Sequence, residues 1–173
     1  MGDLRGAPAL VDDKFFSIDV PFDIYLYGHA SKKLFVTENG MLCLDQDTNS
    51  RERRTGQNLP YRDQIPPYTM FPFWTDLMID LGKPHGVFYE VVGDSGSRSL
   101  TVEWYVTRYG ALDQYFHFNL LLEEARPNVV TFKYYEALDK GATCTIGVQG
   151  PQGKFFPSAF RGDMDFKIMT TSC

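Results

Sequence analysis

The chain has 173 residues, with 17 Lys and Arg against 22 Asp and Glu and a net charge of -5. That length suits one domain with a core of ordinary size, and the acidic balance removes the basic field on which nucleic-acid binding depends. Phe (14) and Tyr (10) are abundant, which favours strands, and nothing approaches the apolar run of a membrane-spanning helix, so neither nucleic-acid binding nor membrane insertion is expected.

Residues 1–14 are small and polar without a period, a lead-in to a single domain over residues 15–173. The first twenty residues lack the charged-then-apolar layout of a secretion signal. From Phe16 the pattern changes: Phe16, Ile18, Val20 and Phe22 alternate with Ser17, Asp19 and Pro21, the period-two signature of a half-buried strand. Gly28 breaks it. Lys33 to Glu38 then runs through Asn39-Gly40 into Met41 to Leu44, and Asn-Gly between apolar runs predicts a hairpin with a type I′ turn.

Residues 45–64 are polar, and Asp45, Asp47 and Asn49 at alternate positions resemble the start of a calcium loop. Ser50 and Gly56 stand where an EF-hand needs Gly and Glu, so a solvated loop is the better reading, as it is for Arg51-Glu52-Arg53-Arg54. Residues 66–77 pack three prolines and four aromatics (Tyr68, Phe71, Phe73, Trp74) into twelve positions and end near Asp76. Such rings belong in a core, with Phe73 and Trp74 inside and Asp76 fixing a turn that joins one sheet to the other.

Residues 86–92 and 100–106 make a second hairpin about a Gly-rich turn. Leu100, Val102, Trp104 and Val106 share the inward face, and Thr101, Glu103 and Tyr105 the other. Residues 115–122 and 128–135 form a third pair, followed by a strand within 141–150 and a last one at 166–169. Residues 111–122 have the length of a helix, but their aromatics argue strand. The expected fold is all-β: an antiparallel, jelly-roll-like β-sandwich of eight or nine short strands.

Cys43, Cys144 and Cys173 are too few and too scattered for a disulfide scaffold or a zinc site. Either Cys144 pairs with Cys173, worth about 3 kcal/mol by loop entropy, or all three are reduced thiols. His29, His85 and His117 accompany no nucleophile elbow or His-Glu-x-x-His pair, so histidine-based catalysis is not expected; His117 reads as a surface or cross-strand residue.

The ordered series Val36-Thr37-Glu38-Asn39-Gly40, Pro72-Phe73-Trp74-Thr75-Asp76, Gly86-Val87-Phe88-Tyr89, Val102-Glu103-Trp104, Phe118-Asn119-Leu120-Leu121-Leu122, Val130-Thr131-Phe132-Lys133-Tyr134 and Ile146-Gly147-Val148 resembles the nidogen-like (NIDO) domain over about residues 15–150. Related secreted microbial adhesion modules share this β-sandwich plan. The resemblance implies a secreted, non-catalytic adhesion or recognition module within a larger multidomain protein, with a protein or glycan on a cell surface or matrix as partner. The chain has no Asn-x-Ser/Thr sequon, which fits a microbial relative.

The expected binding surface is the loops 45–64, 76–85 and 107–114, because function gathers on loops held by a rigid sheet. Two rivals remain. A calcium-assisted carbohydrate-binding module would stack sugars on Tyr61, Tyr68, Tyr105, Tyr109 and Tyr115 and hold calcium through Asp76 and Asp80. A glycan-active enzyme would draw on Asp76, Asp80, Glu90 and Glu103 as paired carboxylates. Arg161-Gly162-Asp163 matches an integrin-ligand tripeptide, a three-residue pattern that arises often by chance.

Overall fold

The computed structural model describes residues 2–3, 10–44, 56–59, 61, 65–151, 154–158 and 166–169. Two short strands come first, β1 (Gly2–Asp3) and β2 (Leu10–Val11). Then follow β3 (Phe15–Leu26), β4 (His29–Thr37), β5 (Met41–Cys43), β6 (Thr69–Trp74), β7 (Leu77–Asp80), β8 (Gly86–Val92), β9 (Ser99–Arg108), β10 (Ala111–Glu123), β11 (Val129–Ala137), β12 (Thr145–Gln149), β13 (Phe155–Ser158) and β14 (Phe166–Met169). Among the described residues there is no α-helix. The strands form two antiparallel sheets, one in the order β13-β12-β6-β5-β4-β3, the other β1-β8-β9-β10-β11-β14 with β7 bridging β2 and β9. This is the all-β sandwich expected, with more strands than the eight or nine read from the sequence.

The alternation in β3 is realised residue by residue, with Ile18, Val20, Phe22, Ile24 and Leu26 buried and the residues between exposed. β3 is an outer strand of its sheet, and its pairing with β4 breaks between Asp19 and Ile24, around Pro21. A proline has no N–H for a ladder, so an outer strand with a bulge is where it fits. One apolar core joins the sheets: residues of β3, β4 and β6 pack with Val102, Trp104, Phe116, Phe118 and Phe132 of the facing sheet. Phe73 lies 5.2 Å from Phe116 and 5.4 Å from Phe118 between ring centroids. Two polar links, one buried and one partly buried, cross the interface. Trp104 Nε1 donates to the Thr37 carbonyl at 2.7 Å, and the Tyr134 hydroxyl donates to the Pro72 carbonyl at 2.6 Å.

The structure differs from the sequence reading in several places. Asn39-Gly40 does end a hairpin, but Thr37 faces Met41 across a three-residue loop, and of that loop only Gly40 takes a positive φ (75°). This is a left-handed residue closing a three-residue turn rather than a type I′ turn. Asn39 is thereby free to act elsewhere: its Oδ1 accepts the Leu77 N–H at 2.6 Å, and its carbonyl accepts the Thr75 N–H. The turn behind Trp74 is therefore held by Asn39, a residue that the sequence reading, which looked to Asp76, did not connect with it.

Phe73 and Trp74 are both buried but face opposite ways, as neighbours in a strand must. Trp74 packs with Met41, Ile65 and Phe71 in a second cluster, covered by Leu59 and Tyr61. All six residues of β6 are consequently buried, and the period that reveals a strand vanishes from the sequence. The crossing itself is as expected: β6 belongs to one sheet, and β7 two residues later to the other. Finally, the lead-in is tied down, since β1 pairs with β8 and β2 with β7.

Candidate functional site

Strand alternation fixes which side chains leave the core of the larger sheet. Burying Trp104 and Val106 turns Glu103 and Tyr105 outward on β9, and burying Phe116 and Phe118 turns Tyr115, His117 and Asn119 outward on β10. On β11 the register slips between His117 and Phe118, so that His117 faces Glu136 while Phe118 faces Tyr134. Tyr135 is the extra residue of this bulge. Bulges re-aim side chains, and here Tyr134 sends its hydroxyl to Pro72 while Tyr135 stands on the solvent side, 55% exposed.

The outcome is an open groove of about 320 Å³ lined by Pro84, Phe88, Glu103, Tyr105 and His117. His117 Nε2 and Glu103 Oε1 are 2.7 Å apart, and Tyr135 sits 4.5 Å from the His117 ring while accepting a hydrogen bond from Asn119 Nδ2. Tyr115 packs edge-on to Tyr105 at 4.6 Å, and His85 lies against both. His85 is buried, which pulls its pKa down, and its Nδ1 has no hydrogen-bond partner among the described residues. The groove therefore offers ring faces and edges, one carboxylate and an imidazole, all on strands that cannot easily move.

Of the expected tyrosines, Tyr115 and Tyr105 reach this site. Tyr61 instead covers Trp74 at 5.7 Å and donates its N–H to Gln149, and Tyr68 stacks on His29 at 4.2 Å. Tyr109 is exposed in the turn between β9 and β10. Two of the three expected loop segments do converge: the Tyr109 N–H donates to the Asp76 carbonyl, and Lys83 Nζ to the Leu112 carbonyl. Leu112 and Leu138 are exposed at this end, Leu138 donating its N–H to the Tyr115 carbonyl.

Asp76 and Asp80 join no cluster of three ligating side chains among the described residues, and Asp80 Oδ1 accepts the Gly82 N–H. Glu90 is exposed on β8. Cys144 is a thiol that donates to the Gly141 carbonyl, and burial pushes its pKa up to about 12, so it is unreactive. Its expected partner Cys173 lies outside the described residues, as do residues 45–55 and Arg161-Gly162-Asp163.

Sequence reasoning placed Glu103, Tyr105 and His117 outward but missed their convergence with Pro84, His85, Phe88 and Tyr135. That convergence depends on β7 docking beside β9 and on the bulge, and neither leaves a local signal. Away from the groove, Glu38 is fully buried in the β4–β5 turn, and burial pushes its carboxyl up to about 8 against the Lys14 N–H that it accepts at 2.8 Å.

Compared with known proteins, a family model described as NIDO related matches residues 4–164. No curated protein and no solved structure matches the chain.

Proposed function

The chain belongs to the NIDO-related family, and from that premise we propose that it is a non-catalytic recognition module, extracellular in placement, that binds a protein or glycan of a cell surface or matrix. The observation that carries this reading is the groove of Phe88, Tyr105, Glu103 and His117 on the outer face of the larger sheet, with Tyr109, Leu112, Tyr135 and Leu138 exposed on the same sheet and its loops. Rigid aromatic anchors with a few fixed polar groups are what binding sites concentrate, because ordering them costs little on association.

The glycan-binding reading is favoured by one feature, the ring edges interleaved with Glu103 and His117 as hydrogen-bonding partners for hydroxyls. The enzyme reading has less support. Glycosidases set two carboxylates across the scissile bond, and among the described residues lining the groove Glu103 is the sole acid, already paired with His117.

The test is binding of the labelled protein to cells, matrix preparations and a glycan array, with Tyr105→Ala and His117→Ala beside the wild type. Each change should weaken binding at least about tenfold while the melting temperature moves little. Binding that survives both changes, or glycan cleavage that vanishes in Glu103→Gln, would overturn the proposal.

A further inference from the structure

We propose that Asp12, Asp13 and Glu38 form a calcium site that fastens the start of the domain to the β4–β5 turn. One carboxylate oxygen from each residue lies within 4.8 Å of the others. Ligands on opposite sides of a calcium ion are about 4.6–5.2 Å apart, given Ca–O distances of about 2.3–2.6 Å, so three such oxygens can share one ion.

The second observation concerns Glu38. Its side chain is 0% exposed, Oε1 is taken by the Lys14 N–H, and Oε2 finds no hydrogen-bond partner among the described residues. A buried carboxylate oxygen without a partner is costly, and buried charges are ordinarily paired or coordinate a metal. Among the described residues, the charged side chains that face Glu38 are two more acids, Asp13 and Asp12, so nothing in its own surroundings offsets the buried carboxylate oxygen.

The donor set selects the ion. Three carboxylates are hard oxygen ligands, with neither thiolate nor imidazole to favour zinc or copper. Magnesium keeps most of its water and takes one or two carboxylates, whereas calcium accepts six to eight oxygens in flexible geometry, so water and backbone carbonyls can complete the shell. Asp12 and Asp13 directly follow β2, and Glu38 directly follows β4, so the ion would bridge segments from both sheets.

The experiment titrates calcium alone into chelator-treated protein, read by calorimetry and by terbium luminescence. Trp104 is the internal sensitiser, since its indole is bonded to the residue before Glu38. The expected result is one ion per chain, a melting temperature that rises with calcium and falls with chelator, and displacement of terbium by calcium. Asp13→Asn, at a half-buried position, and Glu38→Gln should each weaken calcium at least about tenfold. The Asp13 change keeps the test decisive if Glu38→Gln fails to fold. No calcium heat together with a melting temperature indifferent to chelator, or calcium binding unchanged in Asp13→Asn, would overturn the site. Neither readout involves the groove, so the recognition proposal stands or falls separately.

Discussion

Gly40 shows how one residue can be required twice. Its φ of 75° belongs to the left-handed region, and a Cβ there would come within 2.1 Å of the Phe73 carbonyl oxygen and 3.3 Å of the Phe118 ring. The first obstacle is backbone and cannot swing aside as a side chain could. Gly40→Ala should therefore destabilise by at least about 2 kcal/mol, read as a lower urea midpoint with an unchanged slope. Glu124 sets a different kind of dependence. The hydrogen bond from Arg98, with help from the Gly96 and Arg98 amides, holds its carboxyl down to about 2 from an ordinary 4.5. A depressed carboxylate contributes stability that is whole above its unfolded value and is lost as pH falls through the folded one. Melting temperature should thus drop for this reason between pH 4.5 and 2, and Glu124→Gln should flatten that part of the profile; an equally steep profile in the variant would refute the assignment.

At the scale of elements, what the sequence revealed depended on whether a strand has one dry face. β3, β9 and β10 each have one; the alternation named Leu100, Val102, Trp104 and Val106 as the buried face of β9 and picked out Ile18, Val20 and Phe22 in β3, while Phe16 is only partly buried. β6 is covered on both sides, β1 and β2 are two residues long, and β13 carries Pro157, so none of them shows a period to read. The site followed the same logic: outward residues within one strand were legible, and meetings between strands were not. Glu38 was invisible because an acid in a turn reads as solvated until a neighbouring segment is laid over it. Asn39 gives the element-scale test. Asn39→Ala leaves the Leu77 amide without the acceptor now 2.6 Å away, in a buried turn between β6 and β7. The loss should be about 1–3 kcal/mol by chemical denaturation, with the hairpin β4–β5 itself retained, since Gly40 still supplies its geometry.

For the whole molecule, the two clusters on either side of the smaller sheet are built from the same strands. Met41 and Phe71 face one way while their neighbours Leu42, Met70 and Phe73 face the other. Neither layer can loosen without disturbing the other, and unfolding should be a single transition. Trp104 and Trp74 report the two layers separately, so the fluorescence midpoints of Trp74→Phe and Trp104→Phe, each corrected to its own circular-dichroism midpoint, should coincide. A fluorescence transition of Trp74 that precedes its circular-dichroism transition would show the outer layer melting alone. The far edge of β3 has a bearing on life in company. Among the described residues no strand pairs with that edge, and an unpaired strand edge is a template on which another chain can grow. In β3 Pro21 has no ladder donor to offer, the strand departs from regular pairing between Asp19 and Ile24, and the exposed Asp19 and Asp23 repel a like neighbour. Two copies that meet along this strand thus find little to zip onto.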